Sequence, residues 1–212
     1  MKTLLYIFSL LFVLNAQAQI QDSKYTEAMK NAISRLDEAT TGDDFTDAAN
    51  TFERIAMNEN SEWLPLYYAA FSYITVSLST EDLTTRDQYL DKAQKFIDLA
   101  LERAPQESEL YSLQGFLYPS RIMVDPMTRG PELVGKLYEA LDMAEKLNPE
   151  NPRTYFLRGM MLLNMPPEFG GGTEVAKPIL LKAKEKYDSY QPASPFAPKW
   201  GKAETETELN KL

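Results

Sequence analysis

From Ser23 almost to its end, the chain returns to an apolar residue every third or fourth position, with polar residues between. Tyr25, Met29, Ile33 and Leu36 form one such face, and Ala48, Phe52 and Ile55 form the next. That period is the α-helical one, and it predicts amphipathic helices throughout. The most aromatic run is Trp63 to Ser77, holding Trp63, Tyr67, Tyr68, Phe71 and Tyr73. Its predicted partner is Asp91 to Arg103, beginning a turn or two earlier near Thr84. Glu107 to Tyr118 is then expected to pair with Glu132 to Leu147, and Pro152 to Asn164 with Glu174 to Lys186. Between these runs lie turn signals: Thr41-Gly42-Asp43-Asp44, Asn58 to Ser61, and the Pro/Gly-rich Met165 to Gly172. The segment from Pro119 to Pro131 holds three prolines and Gly130, which predicts a loop or a broken helix.

The pattern repeats. Pro149 follows Pro105 by 44 residues, and Gly159 follows Gly115, Tyr155 follows Tyr111 and Ala144 follows Ala100 by the same 44. Four independent features at one offset indicate an internal repeat. Each residue type has a physical reason. Antiparallel helices approach closely only where a side chain is small, as at Ala70, Gly115 and Gly159. Pro105 and Pro149 cannot continue a helix and disfavour helical backbone in the residue before them.

Within the copies, Tyr111-x2-Gln114-Gly115-x2-Tyr118 and the second-helix series Ala93, Ile97, Ala100, Pro105 resemble the tetratricopeptide-repeat (TPR) family. Leu137, Leu141, Ala144, Pro149 and then Ala176, Leu180, Ala183 repeat that series, so the resemblance covers roughly residues 23 to 187. It implies an all-α, right-handed α-solenoid of about four helical hairpins, with a C-terminal tail. A plain unit has about 34 residues. Extra residues at Val76–Leu83 and Ser120–Glu132 predict longer helices or loops along one edge.

Residues 1–18 read differently. Lys2, the apolar run Leu4–Leu14 and Ala16-Gln17-Ala18 form a secretory signal peptide pattern. The expected organisation is therefore signal peptide 1–18, repeat domain 19–187 and Pro-rich tail 188–212. Without cysteine the mature chain has neither a lipid-anchored N-terminal Cys nor disulfides, and is expected to be periplasmic or secreted. No later run is long enough to insert in a membrane. Cleavage removes one Lys and takes the net charge from −9 to −10, which argues against nucleic acid as a partner.

Chemistry is scarce. With neither His nor Cys, imidazole bases, thiol nucleophiles and ordinary zinc sites are excluded. No catalytic, cofactor or metal residues are expected. Gly170-Gly171-Gly172 ahead of a helix could hold an anion. It could equally be a tight connection, with Thr173 as N-cap and Phe169 plugging the core. Arg121, Arg129 and Arg153 could converge on a carboxylate or phosphate, or form local pairs with Asp125, Glu132 and Glu150.

The TPR resemblance implies that first helices line a concave groove, placing Tyr67, Phe71, Ile74, Ser112, Phe116, Arg153, Phe156, Met160 and Asn164 there. These residues are either a binding surface or core, the latter if the tail folds back with Phe196 and Trp200. The resulting expectation is a non-enzymatic exported adaptor for a protein or peptide in an envelope complex. The alternative is a periplasmic small-molecule-binding or transporter-accessory protein, since the PPEFGGG stretch resembles one in exported bacterial TPR proteins of tripartite transporters.

Overall fold

The computed structural model describes residues 23–212; the signal peptide expected over 1–18 lies outside them. Nine α-helices and one 3-10 turn, with no strand, make up the described residues. Helix α1 spans 23–37. Then come α2 (Gly42–Asn58), α3 (Leu64–Ser79), α4 (Leu83–Arg103), α5 (Ser108–Ile122), α6 (Pro126–Leu147), α7 (Pro152–Asn164), α8 (Thr173–Ser189) and α9 (Lys202–Leu209). Consecutive helices pack as hairpins, α3 and α5 and then α5 and α7 lie side by side, and α9 packs on α8.

Local chemistry sets the ends. Thr41 and Asp44 form a reciprocal capping box at the start of α2. Asp82, Asp125 and Asn151 accept from backbone N–H groups at the starts of α4, α6 and α7. Pro65, Pro126 and Pro152 sit in first turns, where a missing N–H costs nothing. Helix α4 stops at Arg103 and α6 at Leu147, just ahead of Pro105 and Pro149.

The small residues lie at the hairpin crossings. A Cβ on Gly115 would fall 2.5 Å from Leu141 Cδ2, and one on Gly159 2.6 Å from Leu180 Cδ2. Gly159 stands 44 residues after Gly115, and each makes the same close crossing against a leucine of its own hairpin. Two apolar clusters form the interior, one drawing on α1 to α5 and one on α5 to α8, with Phe116 packed against both.

The Pro-rich insert departs from expectation. It is helix on both sides of a turn at 123–125, with Pro119 inside α5 and Pro131 inside α6. Tertiary packing overrides local breakers here. Ion pairs from Arg121 and Arg129 to Asp87 and Asp91 of α4 hold the extended tips together. The extra residues have thus lengthened helices, α4 to 21 residues and α6 to 22.

Candidate functional site

The concave side is closed by the chain's own C-terminal segment. After α8, residues 190–201 cross the first helices as a strap. Phe196 reaches the first hairpin, its ring 6.1 Å from that of Tyr25, and its carbonyl accepts from the Tyr68 hydroxyl at 2.8 Å. Trp200 lies among three phenylalanines from three hairpins. It stacks on Phe71 at 5.3 Å, tilts against Phe116 at 5.6 Å and meets Phe156 edge-on at 6.3 Å. Its indole N–H donates to the Tyr67 hydroxyl at 2.8 Å.

Under this strap lies a buried ion pair. Arg153 of α7 is fully buried and forks onto Glu109 of α5, with Nε and Nη2 each donating at 2.6 Å. The two residues are 44 apart, equivalent places in adjacent hairpins. The same guanidinium lies over the ring of Tyr190 at 4.8 Å and that of Trp200 at 5.8 Å. Burial disfavours its charge, but the Glu109 carboxylate more than offsets this and raises the guanidinium's pKa further. Gly201 follows with φ +100°, and a Cβ there would overlap the Tyr187 hydroxyl, which donates to the Trp200 carbonyl at 3.1 Å. Only glycine suits both demands.

The expected groove residues do not form one surface. Tyr67, Arg153 and Phe156 are buried beneath the strap, while Ile74 is core. Ser112 is buried in a polar seam between α5 and α7, sharing a 2.9 Å hydrogen bond with Thr154 and accepting from Asn151. Phe71, Phe116 and Met160 stay half-buried, and Asn164 is exposed at the end of α7. The covered-by-tail alternative is therefore the arrangement found for Tyr67, Arg153 and Phe156.

The three arginines do not share one site. Arg121 and Arg129 meet at Asp87, which Arg129 grips with two 2.7 Å hydrogen bonds, while Arg153 is committed to Glu109. All three are paired, but not with the sequence-local acids expected. Asp125 caps α6, Glu132 pairs with Lys136 and Glu150 with Lys186. The glycine loop is a connection whose own amides are used internally: those of Gly170, Gly171 and Gly172 donate to Pro167, Pro166 and Leu162 carbonyls. Two details differ from expectation. Phe169 is 74% exposed instead of plugging the core, and Gly172 rather than Thr173 occupies the N-cap. The sharp turn forces φ to +87° at Gly170 and +100° at Gly172, and swings the Phe169 ring outward.

Open space occurs elsewhere, in the first hairpin. A cavity of about 460 Å³ lies between α1 and α2, over Tyr25, Ala28, Ala32 and Ile55, with Lys24, Arg35 and Arg54 around it. A smaller one of about 290 Å³ continues it past Arg35 towards Asp44 and Asp47. Periodicity along α1 and α2 identified Tyr25 and Ile55 as inward-facing but gave no sign that a cavity opens over them.

Burial dictates an alkaline response. Desolvation raises the phenol pKa of Tyr67, Tyr68 and Tyr187 far above the ordinary value near 10. A group whose folded pKa is raised stabilises the fold fully below its unfolded pKa and loses that stabilisation as pH climbs towards the folded value. Tyrosinate absorbance from these three should therefore appear only well above pH 10, in a step coincident with strap release. A single step at about pH 10 with helicity intact would contradict this burial.

No family model and no curated protein sequence matches the chain. Among solved structures it is similar to the HusA haemophore from Porphyromonas gingivalis. Identity is 29% over 87% of this chain and 90% of that one, with a TM-score of 0.79. A thermophilic TPR protein from Thermus thermophilus shares the fold, with a TM-score of 0.61 at 16% identity over 88% of this chain and 84% of that one.

Proposed function

Starting from a TPR-like α-solenoid, which this chain is, we propose a non-enzymatic, exported carrier of a flat, largely apolar small ligand of the haem class. One observation carries the reading: the likeness to a haemophore, which runs through nearly the whole of both chains. The strap lends support by filling the cradle in which an adaptor would hold a peptide. The residues bear on the binding mode. Without His or Cys, two of the common haem-iron ligands are missing, and although Met and Tyr remain, most of the affinity is assigned to apolar contact and carboxylate pairing. Haem is cargo here and would be released intact.

Absorbance titration with haemin, repeated with metal-free protoporphyrin IX, tests this. Saturable binding of both is expected, with similar affinities, because the ring system carries the recognition. Absence of saturable haemin binding would overturn the reading. A second reading, a protein adaptor acting through an edge, is favoured by exposed Leu83, Met123, Met127 and Phe169 at the tips of successive hairpins. Capture of a specific partner that is lost on Met127→Glu would favour it.

A further inference from the structure

We infer that the ligand's seat is the groove between α1 and α2, and that Lys24 and Arg54 there bind carboxylates carried on one edge of the ligand. This rests on the carrier reading and places its site on the first hairpin, apart from the Trp200 cluster under the strap. The strapped face is poorly equipped for such a ligand. Its central cation, Arg153, is buried and forked onto Glu109, and its stacking surface is already filled by Trp200.

The first hairpin differs on each count. Its cavity of about 460 Å³ falls in the size range of small-molecule sites, roughly 300–1,000 Å³. The floor is apolar, made by the Tyr25 ring, Ala28, Ala32 and Ile55. Three cations line it against one carboxylate, Glu59, in a chain whose net charge is −9. None of the three has a carboxylate within ion-pair reach among the described residues, whereas Arg121, Arg129, Arg153 and Arg158 all do. Lys24 and Arg35 make no side-chain hydrogen bond among the described residues, and Arg54 makes one, to Thr51. The Tyr25 hydroxyl is buried with no hydrogen-bond partner. Its pKa is raised by desolvation and by Glu62 and Glu59, so it stays a protonated donor.

Polarity along the groove gives direction. The continuation past Arg35 is lined by Glu38, Asp44 and Asp47, which would repel carboxylates. The acidic edge of a ligand therefore belongs at the Lys24–Arg54 end, with its ring over Ala28, Ala32 and Ile55. A ligand of this kind is an amphiphile with a flat apolar body and adjacent carboxylates. Haem, with two propionates on one edge, belongs to that class, and a fatty acid lacks the paired charge.

The test compares haemin with protoporphyrin IX dimethyl ester, which keeps the ring and loses the charges. Wild-type protein, Lys24→Glu/Arg54→Glu, Ala28→Trp and Phe116→Ala are titrated with both, and circular dichroism confirms helicity. The double reversal is expected to weaken haemin binding about tenfold or more and to leave the weaker ester binding unchanged. Ala28→Trp, which fills the cavity without altering charge, should weaken both ligands, and Phe116→Ala should weaken neither. Haemin bound equally by wild type, the double reversal and Ala28→Trp would overturn this seat while leaving the carrier reading standing. An ester as sensitive to the reversal as haemin would overturn the carboxylate assignment. Wild-type protein that binds no haemin would instead refute the carrier reading itself.

Discussion

Arg153→Ala should lower the stability of the fold by about 3–5 kcal/mol, the cost of leaving a buried charge without its partner. Glu109 is 7% exposed and its two carboxylate oxygens accept both guanidinium bonds. Alanine would strand that carboxylate between α5 and α7, and would also remove the cation beneath Tyr190 and Trp200. Urea titration followed by circular dichroism measures the loss. Two further variants separate charge from packing. Glu109→Gln removes the countercharge and should cost nearly as much, whereas a double replacement by Met and Leu should recover part of the loss, since apolar substitutes for a whole buried pair are often tolerated. If Arg153→Ala shifts the midpoint by an amount typical of surface sites, the pair is not buried as described.

Trp200→Ala should cost about 2–4 kcal/mol. That is somewhat below the roughly 3–5 kcal/mol of fully enclosed aromatic truncations, because the ring is half-buried. The loss comprises contacts with Phe71, Phe116 and Phe156 and the hydrogen bond to Tyr67. Its diagnostic readout is local. The segment 190–199 should become readily cleaved by protease while α1 to α8 persist, and the uncovered phenylalanines should bind an apolar dye. Trp200→Phe keeps a stacking ring but loses the indole donor and part of the ring's contact area, so it should cost about 1–2 kcal/mol, less than the alanine change. Equal protease resistance in wild type and Trp200→Ala would show that the strap is held by something other than its tryptophan.

Much of the architecture was legible because repeats impose the same demand at the same offset. Gly115 and Gly159 announce the close crossings against Leu141 and Leu180, and the prolines at 105 and 149 announce the stops. The prolines at 119 and 131 misled, since local breaker chemistry is weaker than the packing of two long hairpins clamped through Asp87. The strap was legible only as an alternative, through Phe196 and Trp200. Its seat on Tyr67 and Tyr68 spans 133 and 128 residues of sequence, a distance over which periodicity carries no information. Glu109 could have been found: it stands one repeat before Arg153, and adjacent copies bring equivalent positions together. The groove between α1 and α2 left no trace in the periodicity, because a period marks which side of a helix is apolar and not where two helices stand apart.

The clasp of Phe196 on Tyr25 and Tyr68 has a thermodynamic consequence. In an open array each unit touches only its neighbours, so ends can fray while the middle survives. Here residue 196 is tied to the first hairpin, and Trp200 bridges α3, α5 and α7. Early melting of either terminus would therefore surrender contacts at the other, making unfolding a single concerted transition and pinning the curvature of the array at one value.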